Sequence, residues 1–295
     1  MAKYRITHAT TYQYTDPVPV CQNQLRLSPR DTPWTHCSSH RLTINPRPEG
    51  KQRRRDWFGN YVQSFSLQES HRKLAVTATS LVEVLPQSAP DPDETMPWEE
   101  VRSAVLAQSL DDWLEASEFT FDSPHIAGAA TFREFAEPCF PPGQAVLAEA
   151  VALTSKIFTE FKYDPRATTV TTRPEEVLQA KHGVCQDFAH LEIACLRSLG
   201  LPARYVSGYL RTIPPPGKPR LVGADASHAW LSVWCGPHGW IDLDPTNDCI
   251  CGTDHIPIAW GRDYSDVAPF RGVYLGGGTH TLKVSVDVEP LDDSE

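Results

Sequence analysis

The run over residues 185–199 constrains this chain more than any other. It is almost entirely apolar, broken chiefly by Gln186, Asp187, His190, Glu192 and Arg197. A helix of that composition has no wet face and must lie inside a core. Gly183 stands just before it and Gly200-Leu201-Pro202 ends it, as helix boundaries require. Residues 203–210, 229–234 and 240–243 then read as strands, the last two split by Gly236-Pro237-His238-Gly239. Residues 211–225, with Pro214-Pro215-Pro216-Gly217, read as a loop. The order is a buried helix and three strands.

Three reactive side chains fall at the ends of these elements. Cys185 opens the helix, His228 opens the second strand, and Asp242 or Asp244 closes the third. A thiol at a helix N-terminus faces free N–H groups and the positive end of the dipole, which lower a thiol pKa from about 8.5 toward roughly 3.5–7.5. The same amides can stabilise an oxyanion. A histidine can take the thiol proton and a carboxylate can hold the imidazole. Asp242 and Asp244 share a strand face, so periodicity does not choose between them. Cys195 lies mid-helix in the apolar run and reads as inert. His182 and His190 flank Cys185, but His190 points to a different helix face and reads as structural. Tyr205 and Tyr209 read as packing. Cys249-Ile250-Cys251 with His255, or Cys235 with His238, could ligate zinc, yet the spacings make no two clean Cys-x-x-Cys pairs. Ordinary thiols and no metal site are expected there.

Residues 1–85 read as β-structure: short alternating runs such as Tyr61-Val-Gln-Ser-Phe-Ser-Leu67, separated by Asp16-Pro17, Pro46 and Gly59-Asn60. The simplest reading is a β-sandwich-like all-β domain. Asp56-Trp57-Phe58-Gly59-Asn60 reads as a hairpin turn with aromatic anchors. Arg53-Arg54-Arg55 reads as a solvated surface or turn. Residues 86–100 have linker composition, with Pro86, Pro90, Pro92 and Pro97. Residues 101–295 then form the domain that bears Cys185, with a β tail at 282–288. Within it, residues 101–113 show helical spacing (Val101, Val105, Leu106, Leu110, Trp113, Leu114), and so do residues 143–161.

The net charge of −10 argues against nucleic-acid and anionic-membrane partners, which need a basic face. The N-terminus has no apolar signal segment and no run is long enough to span a bilayer. A cytoplasmic location follows as the expectation, with the eight cysteines as thiols.

In order along the chain, Phe161-Lys-Tyr-Asp-Pro165, Thr172-Arg-Pro-Glu-Glu176, Gly183-Val-Cys-Gln-Asp-Phe-Ala-His190, Leu201-Pro-Ala-Arg-Tyr-Val-Ser-Gly-Tyr-Leu210, Ser227-His-Ala-Trp230 and Asp244-Pro-Thr246 resemble the bacterial transglutaminase-like superfamily of cysteine-protease type. Residues 1–85 are similar to the β-rich domain that precedes the core in bacterial members. The resemblance implies an α+β, papain-like core, with Cys185, His228 and Asp244 as nucleophile, base and orienting carboxylate. It implies acyl transfer on amides of protein or peptide substrates, as peptidase, amidase or transglutaminase. No cofactor is expected. The calcium dependence of animal transglutaminases is not carried over, because no Asp-x-Asp-x-Asp-Gly loop is present. The competing expectation is a catalytically silent interaction module of the same fold.

Overall fold

The computed structural model describes residues 1–107, 111–212 and 226–291. The N-terminal part is all strand: β1 (Ala2–Val18), β2 (Val20–Leu25), β3 (Thr35–Asn45), β4 (Lys51–Arg55), β5 (Tyr61–Leu67) and β6 (His71–Val84). The second part opens with α1 (Trp98–Ala107), α2 (Asp111–Ser117), α3 (Ala130–Ala136) and α4 (Val146–Glu160). Then come β7 (Lys162–Tyr163), α5 (Pro174–Ala180), β8 (His182–Gly183), α6 (Cys185–Ser198), β9 (Ala203–Leu210), β10 (Ala226–Trp234), β11 (Trp240–Asp244), β12 (Cys249–Ile250) and β13 (His255–Gly261). The chain finishes with α7 (Tyr264–Val267), β14 (Phe270–Leu275) and β15 (His280–Pro290).

Helix α6 is the buried helix the sequence demands. Leu191, Ile193 and Leu196 are shut away between Leu147, Leu153 and Ile157 of α4 and Ala229, Leu231 and Val233 of β10. Fully burying each such branched side chain contributes about 1.5–3 kcal/mol. The sheet beneath it is antiparallel, in the order β12-β11-β10-β9-β13. Because strand side chains alternate, Trp230 points away from that core and packs with Val206 and Cys251.

The N-terminal strands form a sandwich of two 4-stranded antiparallel sheets, β15-β1-β6-β3 and β14-β2-β5-β4. The C-terminal β tail was expected to belong with residues 101–295. Instead β15 pairs along β1 and β14 along β2, so the tail completes the sandwich. An unpaired edge leaves a row of N–H and C=O groups open, and the returning chain closes it. Asp16-Pro17 is no turn: β1 runs through it, with a register irregularity between Gln13 and Val18. Arg53-Arg54-Arg55 lies in β4, whose residues are exposed. α1 ends at Ala107 and a separate α2 begins at Asp111. Val101, Val105 and Trp113 are buried, whereas Leu106 and Leu114 are exposed. Leu110 and residues 213–225 of the expected proline-rich loop lie outside the described residues.

The two parts share a hydrophobic seam. Tyr4, Ile6, Val82, Val84, Val286 and Val288 of the sandwich pack on Tyr209, Ile256 and Ile258. The β4–β5 turn adds a polar clasp. Its Asn60 is wholly buried; the Asn60 Nδ2 donates to the Trp260 carbonyl at 2.8 Å, and the Trp260 N–H donates to Asn60 Oδ1 at 2.9 Å. The side chain thus imitates a strand backbone. Gly59 at φ +74° lets the turn close, while Trp57 is 82% exposed and anchors nothing in the core. Asn60→Ala would strand the Trp260 N–H and C=O in a dry interface. A loss of about 2–3 kcal/mol in urea unfolding is expected; a loss under about 1 kcal/mol would mean that this clasp does not join the two parts.

Candidate active site

The start of α6 is built by a carboxylate. Val184 is the extended residue before the helix and has no side-chain oxygen to cap it. Asp187, three residues on, accepts the Val184 N–H at 2.8 Å and the Thr168 hydroxyl at 2.6 Å on Oδ2. Burial pushes the Asp187 carboxyl up, against the pull of those two donors. The residue at 183 has to be glycine, because a Cβ there would sit 2.8 Å from Asp187 Cβ. Parallel pairing of Lys162–Tyr163 with His182–Gly183 holds the approach to the helix. Cys185 therefore enters at the first helical position, half-buried. The thiols of Cys21, Cys37, Cys139, Cys195, Cys235, Cys249 and Cys251 are pushed up by burial.

His228 and Asp244 meet across β10 and β11. The His228 Nε2 lies 2.7 Å from Asp244 Oδ2, with the histidine 9% and the aspartate 0% exposed. Asp244 Oδ2 also accepts from Asn247 Nδ2 at 2.7 Å and stands 3.1 Å from His255 Nε2. Its Oδ1 accepts the Thr246 N–H at 2.9 Å. The Cys185 side chain lies close enough to the His228 ring to help raise its pKa. Since Nε2 is taken by Asp244, Nδ1 is the atom left for the sulfur. Burial works against a charged His228, but the hydrogen bond to Asp244 and the nearby Cys185 outweigh it and raise its pKa to about 10. Burial likewise opposes the Asp244 carboxylate, and the donors from His228, His255 and Asn247 win, holding it far below the usual carboxylate range.

The sheet also separates the two aspartates that periodicity could not. Asp242 is spent on structure: Trp230 Nε1 donates to its Oδ2 at 2.9 Å, and the Ser232 hydroxyl donates to its Oδ1. Arg204 Nε in turn donates to Ser232 Oγ at 3.2 Å. His190 is structural, its Nε2 accepting the Tyr264 N–H at 3.1 Å and its ring stacked on His125; burial lowers its pKa to about 3. Tyr209 hydrogen-bonds His8 at 2.8 Å in the seam, and Tyr205 packs on the His190 ring.

Among the described residues, the one His/Cys/Asp/Glu cluster close enough to hold a metal is His228, Asp244 and His255, without Cys249, Cys251, Cys235 or His238. His255 Nδ1 accepts the Gly252 N–H at 3.3 Å, so the ring proton sits on Nε2. That nitrogen offers Asp244 a donor, not a lone pair for a cation. Sequence reading met His255 only as a zinc candidate; nothing local marks a histidine eleven residues after Asp244 as its partner.

A buried helix whose leading cysteine meets a histidine–carboxylate pair on an antiparallel sheet defines a papain-like α+β fold. Residues 4–83 match the bacterial transglutaminase-like N-terminal region, and residues 133–245 match the transglutaminase-like superfamily. Over 303 residues the chain is 44% identical to the uncharacterized protein Rv2569c of Mycobacterium tuberculosis, covering 98% of this chain and 93% of that one. A shorter match, 32% identical over 107 residues, is to the protein-glutamine gamma-glutamyltransferase of Pseudomonas aeruginosa, covering 34% of this chain and 16% of that enzyme. A provisionally assigned cysteine protease of Cytophaga hutchinsonii superposes with a TM-score of 0.77 at 23% identity, over 99% of this chain and 91% of that one. The chain belongs to the transglutaminase-like superfamily and carries its bacterial N-terminal region.

The His228–Asp244 pair links stability to pH. His228 keeps its proton to about pH 10 when folded and to about 6.5 when unfolded. Its contribution is full below about 6.5 and lost as pH rises toward 10. Asp244 is depressed from 3.8, so its contribution is present above that value and lost as pH falls further. The gap in thermal midpoint between wild type and Asp244→Asn should therefore be widest between about pH 4 and 6.5 and shrink toward pH 10. A gap that widens above pH 7 in a calorimetric series would contradict this pairing.

Proposed function

We propose that this protein is a thiol enzyme that transfers acyl groups from amides of protein or peptide substrates, with Cys185 as nucleophile, His228 as acid–base and Asp244 as orienting carboxylate. The observation that carries the reading is the buried 2.7 Å contact of His228 Nε2 with Asp244, on a ring whose other nitrogen is left to the Cys185 sulfur. The raised His228 pKa favours imidazolium beside the sulfur at neutral pH. The Cys185 sulfur attacks the amide carbonyl, and the oxyanion forms near the unspent N–H groups at the start of α6. His228 gives its proton to the departing nitrogen as the C–N bond breaks, leaving a thioester. It then takes a proton from the incoming nucleophile, which breaks the thioester and frees the sulfur. Water as that nucleophile gives hydrolysis; a primary amine gives transamidation.

Both outcomes have support among relatives, in the transglutaminase of Pseudomonas aeruginosa and the protein of Cytophaga hutchinsonii. The same triad serves either, and the share of water reaching the thioester decides.

The test is a glutamine-containing peptide library with and without a primary amine, read by mass spectrometry. Deamidated or cleaved products indicate hydrolysis; amine adducts indicate transfer. Cys185→Ala should remove turnover, and Asp244→Asn should lower kcat by about 10²–10⁴. Turnover that survives Cys185→Ala would end this reading and leave the interaction module in its place.

A further inference from the structure

Asp244 carries a second imidazole. His255 Nε2 reaches the same Oδ2 as His228, at 3.1 Å, although β13, which bears it, and β11, which bears Asp244, lie on opposite flanks of β9 and β10. Its ring cannot turn freely. The Gly252 N–H fixes Nδ1 as acceptor, and the Trp230 ring meets it edge-on at 5.3 Å. Trp230 is itself tethered to Asp242 through Nε1. His255 is 8% exposed, so no water substitutes readily for its N–H on a carboxylate that is 0% exposed.

We propose that His255 is a positioning residue of the Cys185 centre, an imidazole that donates to Asp244 and so aims the carboxylate at His228. This rests on the reading of Cys185, His228 and Asp244 given above. Without His255 the carboxylate keeps the Thr246 N–H on Oδ1 and only His228 and Asn247 on Oδ2, so that its turn about the Cβ–Cγ bond is less confined. Each rotation moves Oδ2 off the imidazole plane and lets the ring swing from the sulfur. The His255 donor removes that freedom. It also draws density from Oδ2, which keeps the His228 proton on the ring rather than shared with the aspartate. The role explains why β13 begins with a histidine in a buried polar corner where an apolar residue would pack as well.

The experiment compares His255→Gln with His255→Asn on the full chain. A glutamine amide nitrogen can occupy the place of Nε2 and reach Asp244; an asparagine nitrogen falls short, at the place of Nδ1. Three readouts are taken: thermal midpoint, the rate of iodoacetamide alkylation of Cys185 at pH 7, and kcat and KM on a peptide turned over by the wild type. His255→Asn should slow alkylation and lower kcat by about 10- to 100-fold, by analogy with the loss of residues that orient metal ligands, with KM within about twofold. His255→Gln should recover most of both rates even where its midpoint has fallen as far. Equal rates in the two variants, whether both slow or both like wild type, would overturn the positioning role. His228→Ala is the control for the underlying reading: if it alkylates at the wild-type rate, the thiol–imidazole pair itself is not assembled and the proposal falls with it.

Discussion

Everything around the site follows from one unfavourable act, the complete burial of the Asp244 carboxylate. A buried charge without partners costs several kcal/mol, and losing one partner of such a pair commonly costs about 3–5. The chain meets that cost with donors from three places: His228 at the start of β10, His255 at the start of β13, and the Thr246-Asn247 turn that follows β11. None of these can slip by a residue without losing its bond, since a one-residue shift turns a strand side chain to the opposite face. The geometry that links Cys185 to His228 is thus also the geometry that lets the sheet close.

Donor count, not depth, sets the charge on carboxyls in this core. Glu192 lies two turns beyond Cys185 on α6 and is as deeply buried as Asp244, yet burial drives its pKa up to about 8. It receives one donor, the Thr154 hydroxyl at 2.7 Å, and its second oxygen has no partner. Asp244 moves the opposite way because it is surrounded by N–H groups. The long apolar helix therefore keeps its interior carboxyl in the neutral form that a core tolerates, and the ionised carboxylate stays beside the imidazole. Environments that push two carboxyls apart in this way mark where proton chemistry is arranged.

What could be read from the sequence was local. The apolar run predicted α6 to within a residue, and β9 falls on the predicted 203–210. Gly183 and the helix start at Cys185 were legible because helix ends have few chemical solutions. Periodicity could not choose Asp244 over Asp242, since the two share a face; the family resemblance pointed to Asp244, and the Trp230–Ser232–Arg204 network shows that Asp242 is already occupied. The pairing of β15 with β1 was also hidden. Its partners lie 266 to 286 positions apart (Tyr14 with His280, Tyr4 with Pro290), and register across such a distance leaves no periodic trace; the alternation at 282–288 marked a strand but not its neighbour. His255 escaped for a related reason, because its partner is set by the curl of the sheet.

That curl gives the N-terminal sandwich a physical connection to the site. The Tyr4 hydroxyl donates to Asp254 Oδ1 at 2.9 Å, and Arg211 Nη1 donates to the same oxygen at 3.3 Å. Asp254 immediately precedes His255, and burial with the Asp254 contact raises the Tyr4 pKa to about 12. Tyr4 itself sits in the seam where the sandwich packs on Ile256 and Ile258 of β13. The first strand of the chain thus grips the start of β13 from both sides of His255, through a hydrogen bond before it and apolar contacts after it. A strand start held at both flanks has little room to shift, and the imidazole on it inherits that rigidity. The sandwich need not touch a substrate to matter: by fixing where β13 begins, it fixes one of the donors on which the buried carboxylate depends.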